Sequence, residues 1–116
     1  MKTQLAGKVA FVSGGTKGIG GDCTRLFAER GAAVAFTSRN AEEGRRLMEE
    51  LRSAGMDVLY IQCDVLHEDQ IADAVHRTVS HFGKLDILVN NAATHISKLM
   101  HEYDTDDFNH LINSNF

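Results

Sequence analysis

Four short apolar runs punctuate the chain, and between them apolar residues return every three or four positions. The runs are KVAFVS (Lys8 to Ser13), AAVAFTS (Ala32 to Ser38), DVLYIQCD (Asp57 to Asp64) and LDILVN (Leu85 to Asn90). They are continuous rather than alternating, the pattern of strands covered on both faces. After the first run, Ile19, Cys23, Leu26 and Phe27 recur at helical spacing. Leu47, Met48 and Leu51 follow the second, and Ile71, Val75, Val79 and Phe82 the third. Each set predicts an amphipathic helix. Gly31, Gly55 and Gly83 stand where these helices should stop. Asn40, with Glu43 three residues on, predicts a capping-box-like start for the second helix. Glu68 and Asp69 suit the positive end of the third, although Leu66 cannot cap it. Thr105 predicts the cap of a last helix carrying Phe108, Leu111, Ile112 and Phe116 on one side.

The resulting order, strand and helix in turn four times over, predicts an α/β fold: a Rossmann-like, doubly wound parallel sheet with helices on both faces. A length of 116 residues bounds the chain to one domain, residues 1–116. Hydrophobic residues at 43% and charged residues at 24% are ordinary for a globular protein. The net charge of −4 offers no footprint for nucleic acid or an anionic membrane. With no spanning apolar run and no signal-type segment, a cytoplasmic protein is expected. Two cysteines, Cys23 and Cys63, are too few for a disulfide framework and read as reduced, buried thiols. None of the six histidines has metal-ligand spacing, and His76 and His81, five apart on a helix, point away from each other; no metal site is expected.

The chemistry concentrates in SGGTKGIGG (Ser13 to Gly21), which holds five of the ten glycines. Glycine weakens helices and strands, so this density asks what lies close to the backbone. The run falls between the first strand and the first helix. In a doubly wound sheet that turn faces the ligand crevice, and the helix mouth presents free N–H groups to a pyrophosphate. Gly14 would allow a sharp turn, Gly18 a close approach to phosphates, and Gly20 tight packing of helix on strand. The spacing Gly14-xxx-Gly18-x-Gly20 is not the strict GxGxxG, and no Gly-Lys-Ser/Thr ends the run, which excludes a P-loop.

SGGTKGIG resembles the TGxxxGxG fingerprint of the classical short-chain dehydrogenase/reductases, with Ser13 for the usual threonine. CDV (Cys63 to Val65) is similar to their third-strand Asp-Val, LDILVNNAA (Leu85 to Ala93) to their (L/V)DxLVNNAG, and LINSNF to their fourth-helix segment, where Asn115 matches the family asparagine. Ala93 replaces a glycine, and Gly21 is unusual at a helix start. The resemblance implies strand order 3-2-1-4, incomplete relative to the full family fold, because the chain is about half a member's length. The family's catalytic serine and Tyr-xxx-Lys are not matched: neither Tyr60 nor Tyr103 has a lysine four residues on.

The resemblance also implies roles. Gly14, Thr16, Lys17, Gly18, Ile19 and Gly20 would hold the cofactor at the turn, Asp64 and Val65 the adenine, and Asn90, Asn91, Ala92 and Ala93 the ribose and nearby cofactor surface. Asn115, on the apolar side of the last helix, would be the catalytic residue, holding a water of the proton relay. The second strand ends in Ser38 and Arg39, with no carboxylate before Glu42. An acidic residue there favours NAD(H); an arginine accommodates a 2′-phosphate. Arg39, Lys17 and Ser38 together favour NADP(H) over NAD(H). The expected function is an NADP(H)-dependent oxidoreductase acting, in its complete form, on a small-molecule carbonyl or alcohol, for example a 3-oxoacyl compound or small ketone. The alternative is a truncated, catalytically inactive dinucleotide-binding module or fragment. Full-length members are expected to be homo-oligomers, and an apolar fourth strand at a sheet edge favours self-association.

Overall fold

The computed structural model describes residues 4–14, 16, 18–64 and 67–90. Its elements are β1 (Val9–Ser13), α1 (Gly18–Glu29), β2 (Ala33–Ser38), α2 (Ala41–Ser53), β3 (Val58–Gln62), α3 (Glu68–Phe82) and β4 (Ile87–Asn90). The four strands form one parallel sheet in the order β3-β2-β1-β4. The α/β doubly wound reading and its strand order are therefore correct. The helix expected from Thr105 lies outside the described residues.

Two apolar layers sandwich the sheet, and strand periodicity sorts residues between them. On one face Phe11, Ala35 and Ile61 meet Ile71, Ala74, Val75 and Val79 of α3. On the other, Ala10, Val12, Val34, Phe36 and Val58 meet Ala28 of α1 and Leu47 and Leu51 of α2. Successive strand residues point to opposite faces, so a strand covered on both sides reads as a continuous apolar run. Every residue of β1 is buried. Burying each large apolar side chain contributes about 1.5–3 kcal/mol.

Helix ends follow their punctuation. The Asn40 side chain accepts from the Glu43 N–H at 3.1 Å. Gly31, Gly55 and Gly83 have φ of 98°, 87° and 88°, conformations that let each helix turn away without strain. His67 stands at the N-cap of α3, and its side chain makes no capping bond. Instead the Gln70 side chain reaches back and accepts from the Asp64 N–H at 2.8 Å.

The buried line of α1 follows its apolar spacing only in part: Cys23 and Phe27 pack, partly buried, against the sheet. Ile19 is 73% and Leu26 43% exposed, whereas Gly20, Gly21, Thr24 and Ala28 are buried. Small residues four apart let the helix axis approach the sheet, and closeness rather than hydrophobicity decides this face. An alanine-type Cβ on Gly21 would stand 3.0 Å from both C and O of Thr16. Gly21 is thus the clearance that lets the glycine turn fold down onto the helix.

Asp86 joins β1 to the start of β4. Its Oδ2 accepts from the Val9 N–H at 2.9 Å and lies 3.1 Å from Lys84 Nζ, while its own N–H donates to Val9 O at 2.9 Å. Partial burial pushes its carboxyl up, but the Val9 N–H and the Lys84 charge outweigh this and hold it below the ordinary carboxylate value. Cys63 is buried, and burial, reinforced by Asp64, Asp73 and Asp69, raises its thiol to about 11. It is a packed, unreactive side chain; Cys23 is partly exposed and also free. No described helix is long and apolar enough to cross a membrane.

Candidate dinucleotide-binding site

After β3 the chain crosses to the far side of β1, so the order of connection reverses between β1 and β4. Their carboxyl ends, Ser13 beside Asn90 in register, border the crevice where ligands of such sheets bind. Ser13 Oγ donates to Val89 O at 3.4 Å. The next residue, Gly14, has φ 68°, and its N–H donates at 3.3 Å to the hydroxyl of Thr37, a 1%-exposed residue of β2. This buried hydroxyl ties the start of the turn to the neighbouring strand, a contact that no sequence motif signals.

Gly18 opens α1 with φ 55°, and a Cβ there would meet nothing within 4 Å. Backbone and open space adjoin at the helix mouth. The first turn of α1 contains no acidic residue, whereas α2 carries Glu42, Glu43 and the Asn40 cap over its own N-terminus. The positive end of α2 is met by its own side chains, whereas the first turn of α1 holds no carboxylate that could do the same. Ile19 projects beside this mouth and Gly20 is buried behind it.

A cavity of about 410 Å³ lies along the carboxyl ends of β2 and β3, lined by Arg39, Gln62, Asp64 and Gln70. Arg39 is exposed, and its guanidinium makes no ion pair among the described residues. Ser38 turns its hydroxyl inward, 3.2 Å from Asn40 O and 3.4 Å from the Tyr60 hydroxyl. Asp64 presents its carboxylate at the lip, with Oδ2 3.8 Å from His67 Nε2. Gln62 and Gln70, absent from the sequence-derived site, supply polar walls. A larger hollow of about 740 Å³ opens at the opposite end of the sheet, beside Gly31 and Gly55. The carboxyl ends of α1 and α2 border it, and the negative end of a helix dipole disfavours a diphosphate.

The described structure thus brings Gly14, Thr16, Gly18, Ile19, Gly20, Ser38, Arg39 and Asp64 to one end of the sheet, where β4 also ends at Asn90. Lys17, Val65, Asn91, Ala92, Ala93 and Asn115 lie outside the described residues. Among the described residues no three His, Cys, Asp or Glu side chains converge on a metal position.

The short chain dehydrogenase family model matches residues 8–116. The chain belongs to the short-chain dehydrogenase family. It is 36% identical over 115 residues to a 3-oxoacyl-acyl-carrier-protein reductase of Chlamydia pneumoniae, covering 99% of this chain and 46% of the relative. A short-chain dehydrogenase/reductase structure from Serratia marcescens shares 46% identity over 78% of this chain and 37% of its own, with a TM-score of 0.74. A substituted actinorhodin polyketide ketoreductase, solved with NADPH, shares 37% identity over 81% of this chain and 36% of its own, with a TM-score of 0.71. The chain spans under half the length of the curated relatives it matches. Short-chain dehydrogenases are NAD(P)-binding oxidoreductases.

Proposed function

We propose that this chain is the NADP(H)-binding part of an oxidoreductase acting on a carbonyl or alcohol carbon. The observation that carries the choice of dinucleotide is Arg39, an exposed guanidinium at the end of β2 with no ion-pair partner among the described residues. A guanidinium fits a 2′-phosphate with paired N–H donors, whereas an NAD(H) site asks for a carboxylate to accept from the ribose hydroxyls. The next carboxylate along the chain, Glu42, faces Arg46 at 2.8 Å. Lys17 adds a second cation in this reading.

The residues present fit the rest of the cofactor. The N–H groups of the first turn of α1, with no acidic residue there to compete, suit the diphosphate. Thr16, Ile19 and Gly20 shape that mouth, and Asp64 with Val65 suits the adenine amino group and ring. Asn90, Asn91, Ala92 and Ala93 would border the ribose and nicotinamide, and Asn115 would hold the relay water. When bound, NADPH supplies the hydride. The substrate class is a carbonyl or alcohol, with 3-oxoacyl compounds among the candidates because the Chlamydia pneumoniae relative is named for one. The full-length protein is expected to work in the cytoplasm as a homo-oligomer.

The test is fluorescence titration of the purified chain with NADPH and NADH. Arg39→Ala should weaken NADPH binding about 10- to 100-fold, the worth of a charge-assisted contact, and leave NADH binding unchanged. Tighter NADH binding by the wild type, or equal loss of both, would overturn the NADP(H) reading.

A further inference from the structure

We propose that Tyr60, assisted by Gln62, is a positioning residue that sets the preference for NADPH over NADH by fixing the backbone that carries Arg39. The inference rests on the NADP(H) reading above.

The carbonyls at the end of β2 and just beyond it are held from β3 more firmly than a parallel ladder requires. Ser38 O accepts the ladder bond from the Cys63 N–H at 3.1 Å and a second bond from the Tyr60 hydroxyl at 2.8 Å. Arg39 O accepts from Gln62 Nε2 at 3.1 Å. Tyr60 and Gln62 are two apart on one strand, so both side chains leave the same face of the sheet. Two consecutive carbonyls, one on each side of the Arg39 nitrogen and Cα, are thus anchored by side chains of the neighbouring strand. The Ser38 hydroxyl and Asn40 O complete a small polar cluster around the Tyr60 oxygen.

The tyrosine itself is held on several sides. Its ring lies against Phe36, with centroids 5.6 Å apart, and its N–H points at Met48 Sδ at 3.3 Å. On the helix side it meets bare backbone. A Cβ added to Gly44 would fall 2.1 Å from Tyr60 Cε1. Glycine inside a helix weakens it, and at Gly44 the ring occupies the space that any side chain would need. Glycine in α2, ring on β3 and carbonyl on β2 make one built device, and its output is the placement of a single turn.

That turn carries the cation. A long arginine loses rotamer freedom when it grips a phosphate, and a fixed backbone lowers the ordering still required. NADH has no 2′-phosphate for Arg39 to grip, so it is indifferent to this placement.

Tyr60→Phe keeps the ring and removes the hydroxyl. In the full chain its Kd for NADPH should rise about fivefold, the effect of one net hydrogen bond, with the Kd for NADH unchanged. Gly44→Ala, which forces the ring away, should produce the same selective loss. A wild type that prefers NADPH and a Tyr60→Phe chain that keeps the same NADPH-to-NADH ratio would overturn this inference and leave the NADP(H) reading intact. Equal weakening of both cofactors by Tyr60→Phe would reduce Tyr60 to a structural role and overturn it too. A wild type without NADPH preference would overturn the NADP(H) reading, and this inference with it.

Discussion

Gly21 concentrates two opposing effects in one missing methyl. Alanine in its place would favour α1 by about 1 kcal/mol of helix propensity. Its Cβ would also press on the backbone of Thr16 at 3.0 Å, in the turn that faces the crevice. The helix gain and the displaced turn offset each other in stability but not in function. Gly21→Ala should therefore leave the melting temperature nearly unchanged and weaken NADPH binding about tenfold, as a donor set loses alignment. Unchanged affinity on titration would show that Thr16 yields without moving the donors. In the sequence Gly21 looks only like a poor helix former. Its reason lies in a contact with the preceding turn, which no one-dimensional pattern encodes. The positions of Arg39 and Asp64 at the carboxyl end of the sheet were legible because strand ends are easy to locate. Thr37, Gln62 and Gln70 were not, because their partners come from neighbouring strands or loops and no local motif marks them.

At the level of elements, strand and helix identities followed from apolar runs and glycine stops, since both reflect local periodicity and backbone freedom. The buried face of α1 followed only in part. Its spacing draws a stripe through Ile19, Cys23, Leu26 and Phe27; Cys23 and Phe27 pack on the sheet, Ile19 and Leu26 stay exposed, and the deepest positions go to the small residues Gly20, Thr24 and Ala28. The start of α3 was equally hidden, because its tie to β3 is the reach of Gln70 back to Asp64 rather than a local cap. Asp86 shows how a motif residue can serve an element. Its carboxylate holds the first N–H of β1 from the entry to β4. Asp86→Ala should lower the unfolding free energy by about 1 kcal/mol at neutral pH, modestly because the carboxylate is partly solvated. Since the folded carboxyl titrates below the unfolded one, this contribution is complete above the ordinary carboxylate range and is lost as pH falls through the folded value. Urea unfolding should show the gap between wild type and variant closing in acid. A gap that persists there would assign the loss to packing rather than charge.

Across the whole molecule, the two ends of the sheet are chemically opposite. At one end lie the strand carboxyl ends and the N-terminus of α1, whose first turn holds no acidic residue, with Arg39 at the end of β2. At the other, the carboxyl ends of α1 and α2, the negative ends of their dipoles, border the larger hollow. The parallel sheet and its switch of direction between β1 and β4 create this polarity, and strand order alone locates the crevice. The proposed function puts a dinucleotide diphosphate on the peptide N–H groups at the mouth of α1. Amide chemical shifts of the isotopically labelled chain, followed during titration with NADPH, report on those groups one by one. The largest shifts are expected at Gly14, Gly18, Ile19 and Gly20, with smaller ones at Arg39 and Asp64. Silent glycine amides, or shifts gathered around Gly31 and Gly55, would contradict that placement.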